Sequence, residues 1–238
     1  MTSGTGTPRK EEIRVSASCL AEFATSPRRS VASLLRPYKF NTKGEGLVRS
    51  RYYPPALKFI RLYHSRGNDP EVFYEARREL QKRAESAEKP GQRRKFENNI
   101  AALDAYQRIY KNRKFKVLPA RRLCYQLGPI TLTATPDLWV KEGNTQVLLK
   151  VGFAKRPRPY VNALLTIIRK AAVANNHRIR ARNFLYLDVN LGEELICKTS
   201  LQGFNHTFLV RAKQIAAAWP SVREPAGPGH LTGEEPAA

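Results

Sequence analysis

The sequence predicts a mixed α/β domain built on a central sheet of mixed strand direction. Three observations carry this. Apolar residues recur at helical spacing up to about residue 112. The rhythm then changes to short strand-like runs separated by Gly-containing turns. A further helical stretch divides those runs, so the order after residue 92 reads α-β-β-β-α-β-β-α. Tight turns make the first three strands antiparallel, and the crossover helix makes the next strand parallel to one of them.

Each element has its own signal. Residues 16 to 35 read as helix, with Ser18 as the expected cap, Leu20, Phe23 and Ala24 on one face, and Pro27 dividing it from a second piece over 28 to 36. A short helix starts near Pro54-Pro55 and carries Leu57, Ile60, Leu62 and Tyr63. The next has Asp69 as N-cap, Pro70 in the first turn and Glu71 at the positive end of the helix dipole. Val72, Ala76, Leu80 and Ala84 form its stripe, and Pro90-Gly91 is expected to end it. A longer helix follows over 92 to 112, with Phe96, Ile100, Leu103, Gln107 and Tyr110 facing inward. Residues 116–127, 130–140 and 145–151 read as three strands, turned at Gly128-Pro129 and at Glu142-Gly143-Asn144. A helix over 159 to 175, two strands turned at Asn190-Leu191-Gly192, and a last helix with Phe208, Leu209, Ile215 and Trp219 complete the fold. Residues 1 to 12 and 220 to 238 are small, polar, Pro- and Gly-rich or charged, and read as a disordered arm and tail. Between them, 13–219 reads as one domain, with a helical N-terminal part (13–91) and a core (92–219).

The charge balance narrows the partners. Lys and Arg number 42 against 20 Asp and Glu, a net charge of +22 in 238 residues. Such a charge repels itself and signals a polyanionic partner. No apolar run is long enough to span a bilayer, and the N-terminus lacks the apolar segment of a secretory signal. A membrane partner is therefore not expected, and three isolated cysteines fit a reducing, cytoplasmic location. Cys19, Cys124 and Cys197 lie in no CxxC or Cys/His cluster, so neither zinc nor an iron–sulfur cluster is expected.

One stretch, ATPDLWVKEGNTQVLLKVGF over 134 to 153, raises a chemical question. Pro136-Asp137 leads to a lysine, Lys150, on the next strand, and side chains alternate, so Leu148 and Lys150 share a face. Together with the element order, this resembles the PD-(D/E)XK nuclease superfamily, whose fold is restriction-endonuclease-like with an αβββαβ core. SASCLAEFATSPRR over 16 to 29 resembles the opening of the RecB-type branch, with Ser26 where the iron–sulfur members carry a cysteine. The resemblance implies a divalent ion, Mg2+ or Mn2+, held by hard carboxylate oxygens, activating water and polarising phosphate. By that pattern Asp137 is the Pro-Asp carboxylate and Lys150 the lysine, while Leu148 replaces the second acid. Tyr160 falls near the branch's helix tyrosine, but Leu164 and Leu165 occupy the region of its glutamine. Glu97 is the candidate for a displaced acid that would complete the metal set with Asp137.

Basic residues interleaved with aromatics suit phosphate contacts and base stacking. The candidate nucleic-acid-binding residues are Arg28, Arg29, Lys155, Arg156, Arg158, Tyr160, Arg178 and Arg180. Three functions follow: a DNA-binding protein on a degenerate nuclease-like scaffold; an active metal-dependent DNA nuclease using Asp137, Lys150 and Glu97; or a structural or assembly subunit with a protein partner. The first fits a repair, defence or mobile-element assembly.

Overall fold

The structure is a computed structural model, and it describes residues 12–26, 31–40 and 53–223. It is a mixed α/β fold with seven α-helices and two mixed sheets among those residues. The expected arm and tail lie almost wholly outside them.

The strands are β1 (Ile13–Ser16), β2 (Phe115–Val117), β3 (Leu123–Leu127), β4 (Ile130–Ala134), β5 (Leu138–Glu142), β6 (Thr145–Gly152), β7 (Phe184–Asp188) and β8 (Glu193–Ile196). The helices are α1 (Ala17–Thr25), α2 (Val31–Lys39), α3 (Pro54–Ser65), α4 (Glu71–Glu85), α5 (Pro90–Tyr110), α6 (Arg158–Ala174) and α7 (Phe204–Ala218). A small sheet has the order β1-β4-β3, and a larger one the order β2-β5-β6-β7-β8. The crossover through α6 makes β6 and β7 parallel, as expected, while their outer neighbours β5 and β8 pair antiparallel.

Two strands expected as continuous are divided, and proline marks both breaks. The run 116–127 leaves the large sheet after Val117, passes Pro119, and re-enters as β3 in the small one. The run 130–140 divides at Pro136 between β4 and β5. Proline supplies no ladder donor, so each run changes sheet there. Asp137 therefore stands at the hinge between two sheets instead of ending a strand. The start of the domain also differs: Ile13–Ser16 is a strand parallel to β4, and Ser16, not Ser18, caps α1 by accepting from the Cys19 amide at 3.1 Å. Pro90 opens α5 instead of ending α4, because a missing N–H costs nothing in a first turn.

The large sheet is covered on both faces. Val147, Leu149 and Val151 of β6, with Leu185 and Leu187 of β7, join the apolar cluster under α3, α4 and α5. Leu148, with Trp139, Phe184 and Tyr186, belongs to the opposite cluster with α1, α2, α6 and α7. Every residue of β7 is buried, as a central strand between two helical layers requires. The N-terminal part is not a separate helical unit. Its β1, α1 and α2 serve one core, and α3 and α4 serve the other.

Candidate functional site

Lys150 and Asp137 meet at the end of the large sheet where β6 and β7 finish. The Asp137 amide donates to the Leu149 carbonyl at 2.9 Å, which extends the ladder by one residue and turns the carboxylate across the end of β6. Lys150 Nζ donates to Asp137 Oδ1 at 2.8 Å, and the Val151 amide donates to Oδ2 at 2.9 Å. Arg61 Nε, reaching from α3, donates to the Asp137 main-chain oxygen at 2.9 Å. The side chains of Asp137 and Lys150 are 13% and 24% exposed, so the pair is shielded yet reachable. Such a charge-assisted contact is stronger than its solvent-exposed equivalent.

The same face of the sheet carries Leu148, and its exposure of 2% settles its role. It packs in the α6-side core, where burying a leucine side chain contributes roughly 1.5–3 kcal/mol. Leu164 and Leu165, at the positions resembling the branch's glutamine, are buried in the same core. The expected pairing of Asp137 with Glu97 is not formed. Glu97 is exposed on α5, a helix of the opposite layer. Among the described residues no three His, Cys, Asp or Glu side chains come together as a metal-ligand group. The residues do not fit magnesium: both Asp137 oxygens already accept from protein donors, and the nearby Asp188 turns Oδ1 to the amides of its own turn.

Tyr186 is a site residue that the motif reading missed. It pairs in register with Lys150 and lies on the same face. Its hydroxyl sits over Gly152, where a Cβ would collide with it, so glycine is what lets the tyrosine lie down across the strand end. Burial, followed by the nearby Tyr160 hydroxyl, pushes its pKa up, and it stays protonated. The alternation of Phe184, Tyr186 and Asp188 against Leu185 and Leu187 contained the signal: one face of that strand becomes polar toward its end. Asp188 belongs to the turn instead, its Oδ1 accepting from the Asn190 and Leu191 amides at 3.0 and 3.1 Å.

The expected nucleic-acid contacts fall into separate places. Arg156 lies 4.9 Å from the centre of the Tyr160 ring, a cation–π contact at the start of α6. Lys155 and Arg158 are exposed beside it, and Arg158 also reaches Glu193 at 3.5 Å. Arg178 and Arg180 are exposed beyond the other end of α6, a helix of 17 residues or roughly 25 Å. Lys150, Arg156 and Tyr160 therefore gather at one end of the helix, and Arg178 and Arg180 lie at the other. Arg28 and Arg29 lie outside the described residues.

No protein-family model matches the chain, and comparison with curated proteins finds no match. Among the described residues, no helix is long and apolar enough to cross a membrane.

Proposed function

We propose that this chain is a nucleic-acid-binding protein, with DNA as the first target, on a PD-(D/E)XK-like arrangement whose metal chemistry has been lost. The observation that supports this reading is the state of Asp137. Its carboxylate is consumed by Lys150 and the Val151 amide, while the place of a second acid is filled by the buried Leu148. The charge of +22 supplies the attraction for a polyanion, and Lys155, Arg156 and Arg158 follow the Lys150 strand at the start of α6 to receive a backbone. In this reading Lys150 and its neighbours bind phosphate by charge and hydrogen bonds, with no divalent ion required.

The test is a paired assay on labelled single- and double-stranded DNA, with magnesium or manganese, of the wild type beside Asp137→Ala. The expected result is a salt-sensitive gel shift and no cleavage by either protein. Cleavage by the wild type alone would overturn the reading in favour of the nuclease, with Glu97 as the next residue to change. Absence of a shift, for RNA as well, would favour the assembly subunit. Reversing Lys155, Arg156 and Arg158 to Glu is expected to weaken binding and flatten its salt dependence by about three charges' worth.

A further inference from the structure

The ends of β6 and β7 carry an unusual set of donors. Tyr160 is 7% exposed and Tyr186 is 3% exposed, yet neither hydroxyl has a hydrogen-bond partner among the described residues. Buried tyrosines ordinarily find one. Among the described residues the fully enclosed, unpartnered side-chain atoms are Trp139 Nε1, Arg169 Nε and Trp219 Nε1, and neither tyrosine oxygen is one of them. Both tyrosines belong to one buried cluster in which α6 packs on β7, and Tyr186 lies in register with Lys150. Arg156 has a ring beneath it and no carboxylate partner among the described residues. Lys150 gives one of its three N–H donors to Asp137 and keeps two.

We propose that Lys150, Arg156, Tyr160 and Tyr186 form a metal-independent pocket for a phosphomonoester. The donors outnumber what an internal phosphodiester accepts, because a diester offers two non-bridging oxygens with one negative charge. A monoester offers three terminal oxygens and close to two charges. Lys150 and Arg156 supply two cations, one of them offset by Asp137, and the two hydroxyls supply further hydrogen-bond donors. Asp137 does not repel the ligand, because its charge is already balanced by Lys150. Two further carboxylates lie on this side: Asp188 turns Oδ1 to the Asn190 and Leu191 amides, and Glu22 accepts from the Tyr38 hydroxyl at 3.4 Å. The inference rests on the nucleic-acid reading for one source of the ligand, the phosphorylated end of a strand; the same chemistry is offered by free phosphate.

The experiment compares oligonucleotides of one sequence carrying a 5′-phosphate, a 3′-phosphate or neither, titrated against the full chain and against a Tyr160→Phe/Tyr186→Phe variant checked for folding by circular dichroism. In parallel, millimolar inorganic phosphate is tested for a rise in the thermal midpoint of each protein, against chloride at equal ionic strength. The expected result is about tenfold tighter binding of one phosphorylated end, with that ratio falling toward one in the double variant. A phosphate-dependent midpoint shift lost in the variant, without any preference for strand ends, would identify free phosphate as the source. Equal, salt-sensitive binding of all three oligonucleotides and no phosphate shift would overturn the pocket and leave the nucleic-acid reading intact. No oligonucleotide binding, with a phosphate shift that needs the tyrosines, would overturn the nucleic-acid reading and leave the pocket. If the double variant does not fold, the single variants carry the same comparison.

Discussion

Two polar constellations lie on opposite faces of the large sheet, and they are finished to different degrees. Under α3 and α5, His64 is 1% exposed and fully partnered. Its Nδ1 faces Asn68 Oδ1 at 2.6 Å and its Nε2 faces the Tyr106 hydroxyl at 2.7 Å. The carboxamide oxygen of Asn68 accepts, so Nδ1 carries the proton and Nε2 accepts from Tyr106. Asn68 Nδ2 then donates to the Arg113 carbonyl, and the Arg113 guanidinium binds Glu142 and Glu194. Nothing in that chain is left over for a ligand. On the other face, Lys150 donates to Asp137, but Tyr160 and Tyr186 end in hydroxyls without a hydrogen-bond partner among the described residues. A closed network of buried polar groups holds the fold; an open one at a strand end keeps donors in reserve.

Substitutions in the two networks are expected to separate stability from binding. The largest loss is expected for Tyr106→Ala, which removes a fully buried ring stacked on Tyr110 and the partner of His64. It should lower stability by about 3–5 kcal/mol in urea denaturation and leave the Lys150–Asp137 contact of the folded molecules untouched. Acid should act on the same network. Burial lowers the His64 pKa to about 4, below its unfolded value of roughly 6.5, so the unfolded chain takes up the proton first. Its contribution is complete above about pH 6.5 and is lost as pH falls from there toward 4. Between pH 7 and pH 5 the loss should be about 2 kcal/mol, and a stability unchanged over that window would show that His64 does not titrate this way.

Smaller effects are expected on the open side. Asp137→Ala leaves Lys150 and the Val151 amide without a partner, at a cost of about 1–2 kcal/mol, since Lys150 is partly exposed and can turn toward water. Tyr186→Phe removes a hydroxyl with no hydrogen-bond partner among the described residues, and should change stability by less than about 0.5 kcal/mol. A Tyr186→Phe cost as large as that of Tyr106→Phe, which orphans His64 Nε2, would mean that the two networks are equally closed.

The long periodic elements were legible before folding. Pro54–Ser65, Glu71–Glu85 and Arg158–Ala174 match helices read from apolar spacing and flanking residues, and the α6 crossover gave the parallel pair β6 and β7. Asp137 and Lys150 were legible as a pair because two residues on neighbouring strands needed only correct register to meet. The misreadings were local. Ser16 outcompeted Ser18 as the cap because the preceding residues pair with β4, a contact 117 positions away in register that no neighbouring sequence announces. Pro119 and Pro136 lie inside the runs 116–127 and 130–140 that read as single strands, and both mark a change of sheet.

By itself the sequence determined the mixed α/β class, the net charge of +22, and the absence of an acid at position 148. Those follow from composition and from periods of 2 and 3.6, which local sterics impose. Only the tertiary structure decided that Glu97 stays in the opposite layer, that Tyr186 lies over Gly152 beside Lys150, and that Arg156 and Arg178 are a helix length apart. Such neighbours are brought together by burying apolar faces on two sides of one sheet. That packing joins segments by their hydrophobic stripes, and the polar groups at the strand ends meet as its consequence.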